Sequence, residues 1–258
     1  MLRRFIRFDN FETRADRRKV DKLAPIREIF NKFSENCTNS YYPGKYLTVD
    51  EQLVGFKGRC PFRQYIANKP DKVGIKLWMI VCVDSKYVWK IQPYTGKLDG
   101  NVVEKNQPTR VVRDMIEGLK KGHNITTDNL FTSVKTAKMA FEHGHTVIGT
   151  LRKNKPEIPT LFSKTTGRKE YSTMFCFHEN MTMVSYAPKK NRSVVLLSTM
   201  HHDKKVSDDA KNKLKPQIIL DYNKTKGGVD THDQMCKAYT CSLPSRRYTM
   251  RLLYSLLD

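Results

Sequence analysis

The sequence lacks any long hydrophobic run. Its longest apolar stretch, LWMIVCV at residues 77–83, has only the length of a strand, whereas a bilayer-spanning helix needs about 20 consecutive apolar residues. The first residues, MLRRFIRFDNF, carry charge but no apolar segment of the kind that signal peptides have. We therefore expect no membrane partner.

Closely paired cysteines are also missing. The six cysteines are scattered, and no two of them form a CxxC pair, the spacing that structural zinc sites commonly use. We expect no zinc in this chain. Scattered free thiols fit a reducing compartment such as the cytosol or the nucleus.

Acidic residues are scarce relative to basic ones. The chain of 258 residues has 26 Asp and Glu against 47 Lys and Arg, which gives a formal net charge of +21. Such an excess indicates a polyanionic partner, and nucleic acid is the first candidate. The alternative is a soluble basic protein whose charge serves no specific partner.

Strand and helix patterns alternate through the first part of the chain. The patterns predict a helix after Pro25, a strand over 46–56 and a strand hairpin over 73–96. Further on they predict helices over 109–122 and 132–144, each followed by a strand. Antiparallel strands come first and alternating elements follow, which favours an α/β fold with helices packed on a mixed sheet.

A different pattern begins after residue 154. Three short strand patterns, at 174–178, 181–187 and 193–199, are followed by a polar connector without periodicity. They predict a small antiparallel insertion. Helical patterns return after residue 216.

A group of aspartates is unexpected in so basic a chain. Carboxylates repel phosphates, so acids at a nucleic-acid surface are best explained by a metal site. Two divalent ions can clamp the attacking and leaving oxygens of a phosphodiester, and Mg²⁺ prefers oxygen ligands. The candidates are Asp50, Asp128, Asp230 and Asp233.

Each of these aspartates also has a simpler explanation. Asp50 lies mid-strand, where Asp is disfavoured, but an edge strand would expose it to water. Asp128 ends a strand, where open α/β sheets place ligands, but it could close an Asx-turn. Asp230 and Asp233 share one helix face after Gly227-Gly228, but the helix dipole favours acids in a first turn in any case.

Four stretches closely resemble the piggyBac family of transposases and occur in the order that the family has. They are YLTVDEQLVGFKGRCPFRQYIANKPDKVGIKLWMIVC, ITTDNLFTS, VIGTLRKNKPEIP and YNKTKGGVDTHDQM. The resemblance implies a ribonuclease H-like fold, in which a mixed sheet with flanking helices is interrupted by a small β-rich insertion domain.

The resemblance also implies a site and a reaction. Carried over by position, the family's catalytic aspartates fall on Asp50, Asp128 and Asp230, and a supporting aspartate falls on Asp233. These residues would bind two Mg²⁺ or Mn²⁺ ions. The implied reaction is cut-and-paste transposition of double-stranded DNA, with 3′ nicking, hairpin formation and joining at TTAA targets. Such a substrate implies residence in the nucleus and leaves a homodimer open.

The resemblance divides the chain into parts. Residues 1–45 form an N-terminal helical, DNA-binding flank, and residues 46–154 form the first part of the catalytic core. The insertion domain covers 155–215, and the C-terminal helical region of the core covers 216–258. Family members extend further at both ends and usually carry a Cys-rich zinc-binding domain, so we expect a chain truncated at both ends and without that domain.

Two basic stretches are candidates for contacts with DNA phosphates. They contribute Lys57, Arg59, Arg63, Lys69, Lys72, Lys76, Arg152, Lys153 and Lys155. The alternative is a solvated basic face.

Two other functional hypotheses for the whole chain also remain open. One is a non-catalytic DNA-binding relic or domesticated protein, and the other is a structural or protein-interaction domain whose charge only keeps it soluble.

Overall fold

The computed structural model describes residues 5–96 and 104–258. The first four residues of the predicted N-terminal flank and residues 97–103 of the predicted core lie outside the described residues. No helix in the described ranges is long and apolar enough to cross a membrane.

Helices and strands follow one another along the chain. The order is α1 (Phe11–Val20), α2 (Arg27–Ser40), β1 (Tyr46–Gly55), β2 (Gln64–Tyr65), β3 (Val73–Cys82), β4 (Val88–Pro93), α3 (Gln107–Ile116), β5 (Asn124–Thr127), α4 (Val134–Glu142), β6 (Thr146–Leu151), α5 (Thr160–Ser163), β7 (Thr173–His178), β8 (Met181–Lys189), β9 (Arg192–Ser198), α6 (Gln217–Thr225), α7 (Gly228–Ala238) and α8 (Tyr248–Leu257).

The strands of the described residues join into one mixed sheet. Its order is β2-β3-β1-β5-β6-β9-β8-β7, and β4 also pairs with β3. Strand β1 is antiparallel to β3 and parallel to β5, and β5 is parallel to β6. The predicted α/β fold with a mixed sheet is confirmed, and β1 is a central strand.

The two faces of β1 belong to different parts of the core. Leu47 and Val49 lie on one face, in a cluster that α3 and α4 complete with residues such as Val112 and Ala137. The opposite face faces a second cluster, to which α2, α7 and α8 contribute Phe30, Val229, Leu252 and Leu256. Successive strand residues alternate between faces, so Asp50 lies on the second face, with Thr48 and Gln52.

The predicted strands of the insertion are confirmed as β7, β8 and β9. Strand β9 pairs with β6, through Ile148↔Ser198 to Leu151↔Val195, so these strands continue the central sheet. They share a third apolar cluster with Ile218 and Ile219 of α6. The division of the chain into domains stays a prediction.

One predicted helix is shorter than expected. The pattern over 109–122 predicts a helix that ends at Gly122, but α3 ends at Ile116. Glu117 is extended, and Gly118 has a φ of 86°, a left-handed conformation that glycine adopts at little cost. In contrast, Gly144, with a φ of 83°, follows α4 after the single C-cap residue His143, close to the predicted end.

Candidate active site

The parallel pairing of β1 and β5 brings two of the predicted aspartates together. The last paired residues are Val49 and Thr127, so Asp50 and Asp128 occupy the next position on each strand. Neighbouring strands lie about 4.8 Å apart. The explanation of Asp50 as a residue on a water-facing edge strand is wrong, because β3 and β5 flank β1 on both sides.

Asp128 is held in a tight turn between β5 and α4. Its Oδ1 accepts hydrogen bonds from the backbone N–H groups of Leu130 at 2.8 Å and Phe131 at 3.2 Å. The Asx-turn considered from sequence is therefore present. Ser133, however, caps α4 by accepting from the Thr136 N–H group. The turn fixes the direction of the Asp128 carboxylate beside Asp50 and leaves the capping of the helix to another residue.

Three threonines anchor α6 next to the aspartates. Thr48 and Thr126 lie two residues before Asp50 and Asp128, and therefore on the same face of the sheet. The Thr48 hydroxyl donates to the Thr225 carbonyl at 2.6 Å, and the Thr126 hydroxyl donates to Thr225 Oγ1 at 2.7 Å. The C-terminus of α6 is thus fixed over β1 and β5, at positions two residues before Asp50 and Asp128 on the same face of the sheet.

The glycine pair brings α7 into contact with the same face. A Cβ atom on Gly228 would lie 2.7 Å from Thr48 Oγ1, so only glycine permits this approach. Further along α7, Asp233 Oδ1 accepts a hydrogen bond from Gln52 Nε2 at 3.0 Å. Asp230 lies in the first turn of α7 between these two contacts, and its side chain is exposed.

Burial and neighbouring negative charge raise the pKa of Asp50. Burial raises the pKa of Asp50 to about 7, and the carboxylates of Glu51 and Asp128 act in the same direction, whereas Lys69 opposes them. Burial also raises the pKa of Tyr222 on α6, with smaller contributions from Asp128, Asp50 and Asp230. All three predicted catalytic aspartates therefore lie near enough to Tyr222 to act on its hydroxyl.

The chemistry of these side chains fits a hard divalent cation. Two neighbouring carboxylates that repel each other are stabilised by a cation, and Mg²⁺ takes carboxylate and water oxygens as ligands. Within residues 5–96 and 104–258, no group of three or more His, Cys, Asp or Glu side chains is placed closely enough to hold a metal ion. Strand pairing sets Asp50 and Asp128 side by side, and Asp230 lies in the first turn of α7.

Comparison with known proteins identifies the family. A family model described as Transposase IS4 matches residues 2–258. A cryo-EM structure of a piggyBac transposase synaptic complex with hairpin DNA superposes with a TM-score of 0.92 at 40% identity. The chain belongs to the piggyBac family of IS4-type DDE transposases. The structural match covers 99% of this chain and 53% of that piggyBac transposase.

Curated relatives give the same family at lower identity. The human PiggyBac transposable element-derived protein 3 is 26% identical over 275 residues, which cover 96% of this chain and 46% of that protein. The human Chimeric ERCC6-PGBD3 protein is also 26% identical, over 26% of its own length. The chain therefore spans less than half the length of these curated relatives and corresponds to a core portion of a piggyBac protein.

Some of the basic residues predicted to contact DNA lie beside the aspartates of this piggyBac core. Lys69 donates to the Glu51 carbonyl at 2.9 Å and acts on Asp50. Arg152 donates to Asn129 Oδ1 at 3.0 Å, and Lys155 donates to the Thr132 carbonyl. These cations border the site on two sides. Lys72 and Lys153 are exposed.

Lys76 is in a different setting. Its side chain is only 16% exposed, and its Nζ lies 3.8 Å from Glu51 Oε2 and over the Trp78 ring. Glu51 and Lys76 therefore form a partly buried pair on the face opposite Asp50, as strand alternation predicts for Glu51. Trp78 and Trp89 are buried in the core.

The remaining predicted cations line a groove that the sequence did not reveal. We call it the arginine groove: it lies between the N-terminal segment, the loop after β1 and the segment before α8, and no acidic side chain among the described residues lines it. It is lined by Arg7, Arg14, Arg18, Lys57, Arg59, Arg63, Arg246 and Arg247, with Phe8, Phe11 and Tyr248. An isolated bridge between Arg59 and Arg247 joins two of these distant segments.

Sequence reasoning did not single out Tyr222 or Thr225, which the structure places near the predicted aspartates. Tyr222 and Thr225 lie within the motif YNKTKGGVD, so the motif contained the signal, but nothing in the spacing separates a site tyrosine from a core tyrosine. The arginines of the groove come from both ends of the chain. Only the packing of α1 near the start of α8 brings them together.

Proposed function

We propose that this chain is the catalytic core of a DDD-type transposase that carries out metal-dependent cleavage and strand transfer of double-stranded DNA. The adjacency of Asp50 and Asp128 on paired central strands is the observation that carries the proposal. Asp50 and Asp128 are half-buried neighbours that repel each other, so in a chain of net charge +21 the pair is best explained by a cation that it binds. Membership of the piggyBac family supports the same reaction class.

Asp50, Asp128 and Asp230 would hold two Mg²⁺ or Mn²⁺ ions, with Asp233 in support. When bound, such ions activate a water nucleophile and stabilise the leaving oxygen of a phosphodiester. The chain's own residues hold this arrangement: the Asx-turn orients Asp128, and Gln52 holds Asp233. Lys69, Arg152 and Lys155 would attract the phosphate backbone that the carboxylates repel.

Several finer features also belong to this proposal. The core is ribonuclease H-like, and the segment 155–215 acts as its insertion domain. Cleavage proceeds through 3′ nicking, hairpin formation and joining at TTAA. The similar piggyBac transposase was solved as a synaptic complex with hairpin DNA, which supports the hairpin step. A homodimer is also part of the proposal. A DNA substrate of this kind would place the protein in the nucleus.

A plasmid-nicking assay tests the proposal. The purified chain should nick supercoiled DNA in Mn²⁺, and Asp50→Asn and Asp128→Asn should reduce the rate by about 100-fold or more, because each removes a ligand from the charge-stabilising site. Asp208→Asn is the matched control, since Asp208 is exposed in the connector before α6. Nicking that survives both site substitutions would rule out this assignment.

The alternative is a DNA-binding relic or domesticated protein without catalysis, and the arginine groove is the observation that favours it. This alternative predicts DNA binding without nicking. An Arg18→Gln/Arg246→Gln double variant should weaken binding and flatten its salt dependence by about 0.9 in log–log slope per lost phosphate contact. Lys189→Gln/Lys190→Gln, at the β8–β9 hairpin, should change neither. Wild-type binding without salt dependence would contradict a DNA-binding role and leave only a structural one.

A further inference from the structure

The row of side chains that contains Asp50 and Asp128 continues onto β6. Thr127 of β5 pairs with Gly149 of β6, so Thr150 lies beside Asp128 as Asp128 lies beside Asp50. Side chains at equivalent positions of parallel neighbours point to the same face of the sheet. Thr150 therefore forms the third member of a row, on the side of the site away from β1.

Helix α6 covers this row and places Tyr222 over it. Thr225, at the end of α6, is bonded to Thr48 and Thr126, while Ile218 packs in a cluster with Ile148 of β6. Residues three positions apart share a helix face, so Tyr222 faces the sheet with Thr225. Its ring packs against the same cluster and is half-buried.

The hydroxyl of Tyr222 extends beyond its apolar packing. It lies near the side chain of Thr150, and it interacts electrostatically with Asp128, Asp50 and Asp230. Packing alone would be satisfied by phenylalanine. A phenol hydroxyl can accept one hydrogen bond and donate another, so a Tyr222 hydroxyl that accepts from Thr150 would keep its own O–H group to donate towards the carboxylates.

We infer that Tyr222 is a further residue of the proposed active site, whose hydroxyl, oriented by Thr150, donates a hydrogen bond to the phosphodiester that enters among the three aspartates. This inference rests on the proposed function. Three carboxylates repel a phosphate. A neutral O–H donor attracts the phosphate without adding a positive charge that would compete with the metal ions for the carboxylates. A hydrogen bond to a charged group is among the stronger ones.

The contact can be measured without catalysis. With 3-fluorotyrosine incorporated in the full chain, the ¹⁹F resonance that disappears in Tyr222→Phe identifies Tyr222. Paramagnetic Mn²⁺ should broaden this resonance in the wild type and much less in Asp50→Asn/Asp128→Asn. A short DNA duplex added in Ca²⁺, which replaces the catalytic ions, should then shift it. A Tyr222 resonance that Mn²⁺ does not broaden and DNA does not shift overturns the inference.

Variants test the contribution to catalysis. Tyr222→Phe should lower the nicking rate at saturating DNA by about 10- to 100-fold, the effect of losing one hydrogen bond to a charged group. Its melting temperature and Mn²⁺ affinity should stay unchanged. Thr150→Val should reduce the rate less, because it only releases the orientation of the hydroxyl. The control is Tyr171→Phe, since Tyr171 packs against the same cluster and should leave nicking unchanged.

The outcomes separate this inference from the proposed function. If DNA shifts the Tyr222 resonance but the wild type does not nick, the contact stands and the proposed function fails. If the wild type nicks and Tyr222→Phe nicks equally well, the proposed function stands and the role of Tyr222 is refuted. A loss of nicking that follows a loss of Mn²⁺ affinity would also refute it, because the hydroxyl would then support the carboxylates and not the phosphate.

Discussion

Replacing Gly228 with alanine tests whether α7 depends on close contact with β1. The added Cβ would lie 2.7 Å from Thr48 Oγ1 and 3.1 Å from Thr48 Cβ. Thr48 is 2% exposed, and its hydroxyl is bonded to the Thr225 carbonyl. The threonine therefore cannot turn away without breaking the anchor of α6, so the start of α7 must move instead.

The expected loss of stability follows from two opposing effects. Overpacking in a tightly packed interior costs about 1–3 kcal/mol. The better helix propensity of alanine recovers at most about 1 kcal/mol, and less in a first turn. We expect Gly228→Ala to lower the free energy of unfolding by about 1–2 kcal/mol, which corresponds to a decrease of about 2–8 °C in melting temperature for a chain of this size.

Gly227→Ala provides the matched control, because a Cβ there would meet only Thr231 Oγ1, at 3.9 Å, and its φ of −87° suits alanine. Calorimetry and urea unfolding should show a change near zero, since the lost capping preference and the reduced entropy of the unfolded chain nearly cancel. Mn²⁺ affinity should fall in Gly228→Ala alone, because α7 carries Asp230. Equal stability and equal Mn²⁺ affinity in the two variants would refute the reasoning.

Two further predictions concern pH and α6. The pKa of Asp50 is about 7 in the folded chain and about 3.9 in the unfolded chain. The stability that protonated Asp50 contributes to the metal-free protein is therefore full below about pH 4 and is lost as pH rises towards 7. Asp50→Asn should therefore be more stable than the wild type at pH 8, with a gain that shrinks below pH 7 in urea titrations; a gain independent of pH would contradict the burial of this charge. His201 links Ser198 Oγ at 2.8 Å to Asp221 Oδ2 at 3.1 Å, so His201→Ala should lower the free energy of unfolding by about 2–3 kcal/mol, whereas the exposed His202→Ala should change it by less than about 0.5 kcal/mol. Equal melting temperatures for these two variants would show that the link does not hold α6.

Most strands and helices of the fold could be predicted from local patterns in the sequence. Alternation and apolar runs predicted the strands within a few residues, except the two-residue β2, for which no strand was predicted. The end of α3 was missed, since the apolar stripe continues to Leu119 while Gly118 breaks the backbone. The pairing of β9 with β6 was not predictable either, because sheet partners distant in sequence leave no local signature.

The candidate site was predictable only in part. Asp50 stood out as an acid within an apolar strand and Asp128 as an acid at the end of a strand, and strand pairing does place them side by side. Tyr222 carried no such signal, because an aromatic residue on an amphipathic helix usually packs in the core. Lys76 matched the basic pattern of its loop, but its neighbour Glu51 pairs with it, a contact that only the register of β1 and β3 defines.

The central claim is that Asp50, Asp128 and Asp230 hold divalent ions for phosphodiester chemistry. Anomalous diffraction from crystals of the chain grown with Mn²⁺ and a DNA duplex tests this directly, because it locates the ions themselves. We predict manganese peaks in contact with the carboxylates of Asp50 and Asp128, with Asp230 completing the ligands, and no such peaks in Asp128→Asn crystals. Manganese bound elsewhere on the DNA complex, with Asp50 and Asp128 free of metal, would contradict the claim.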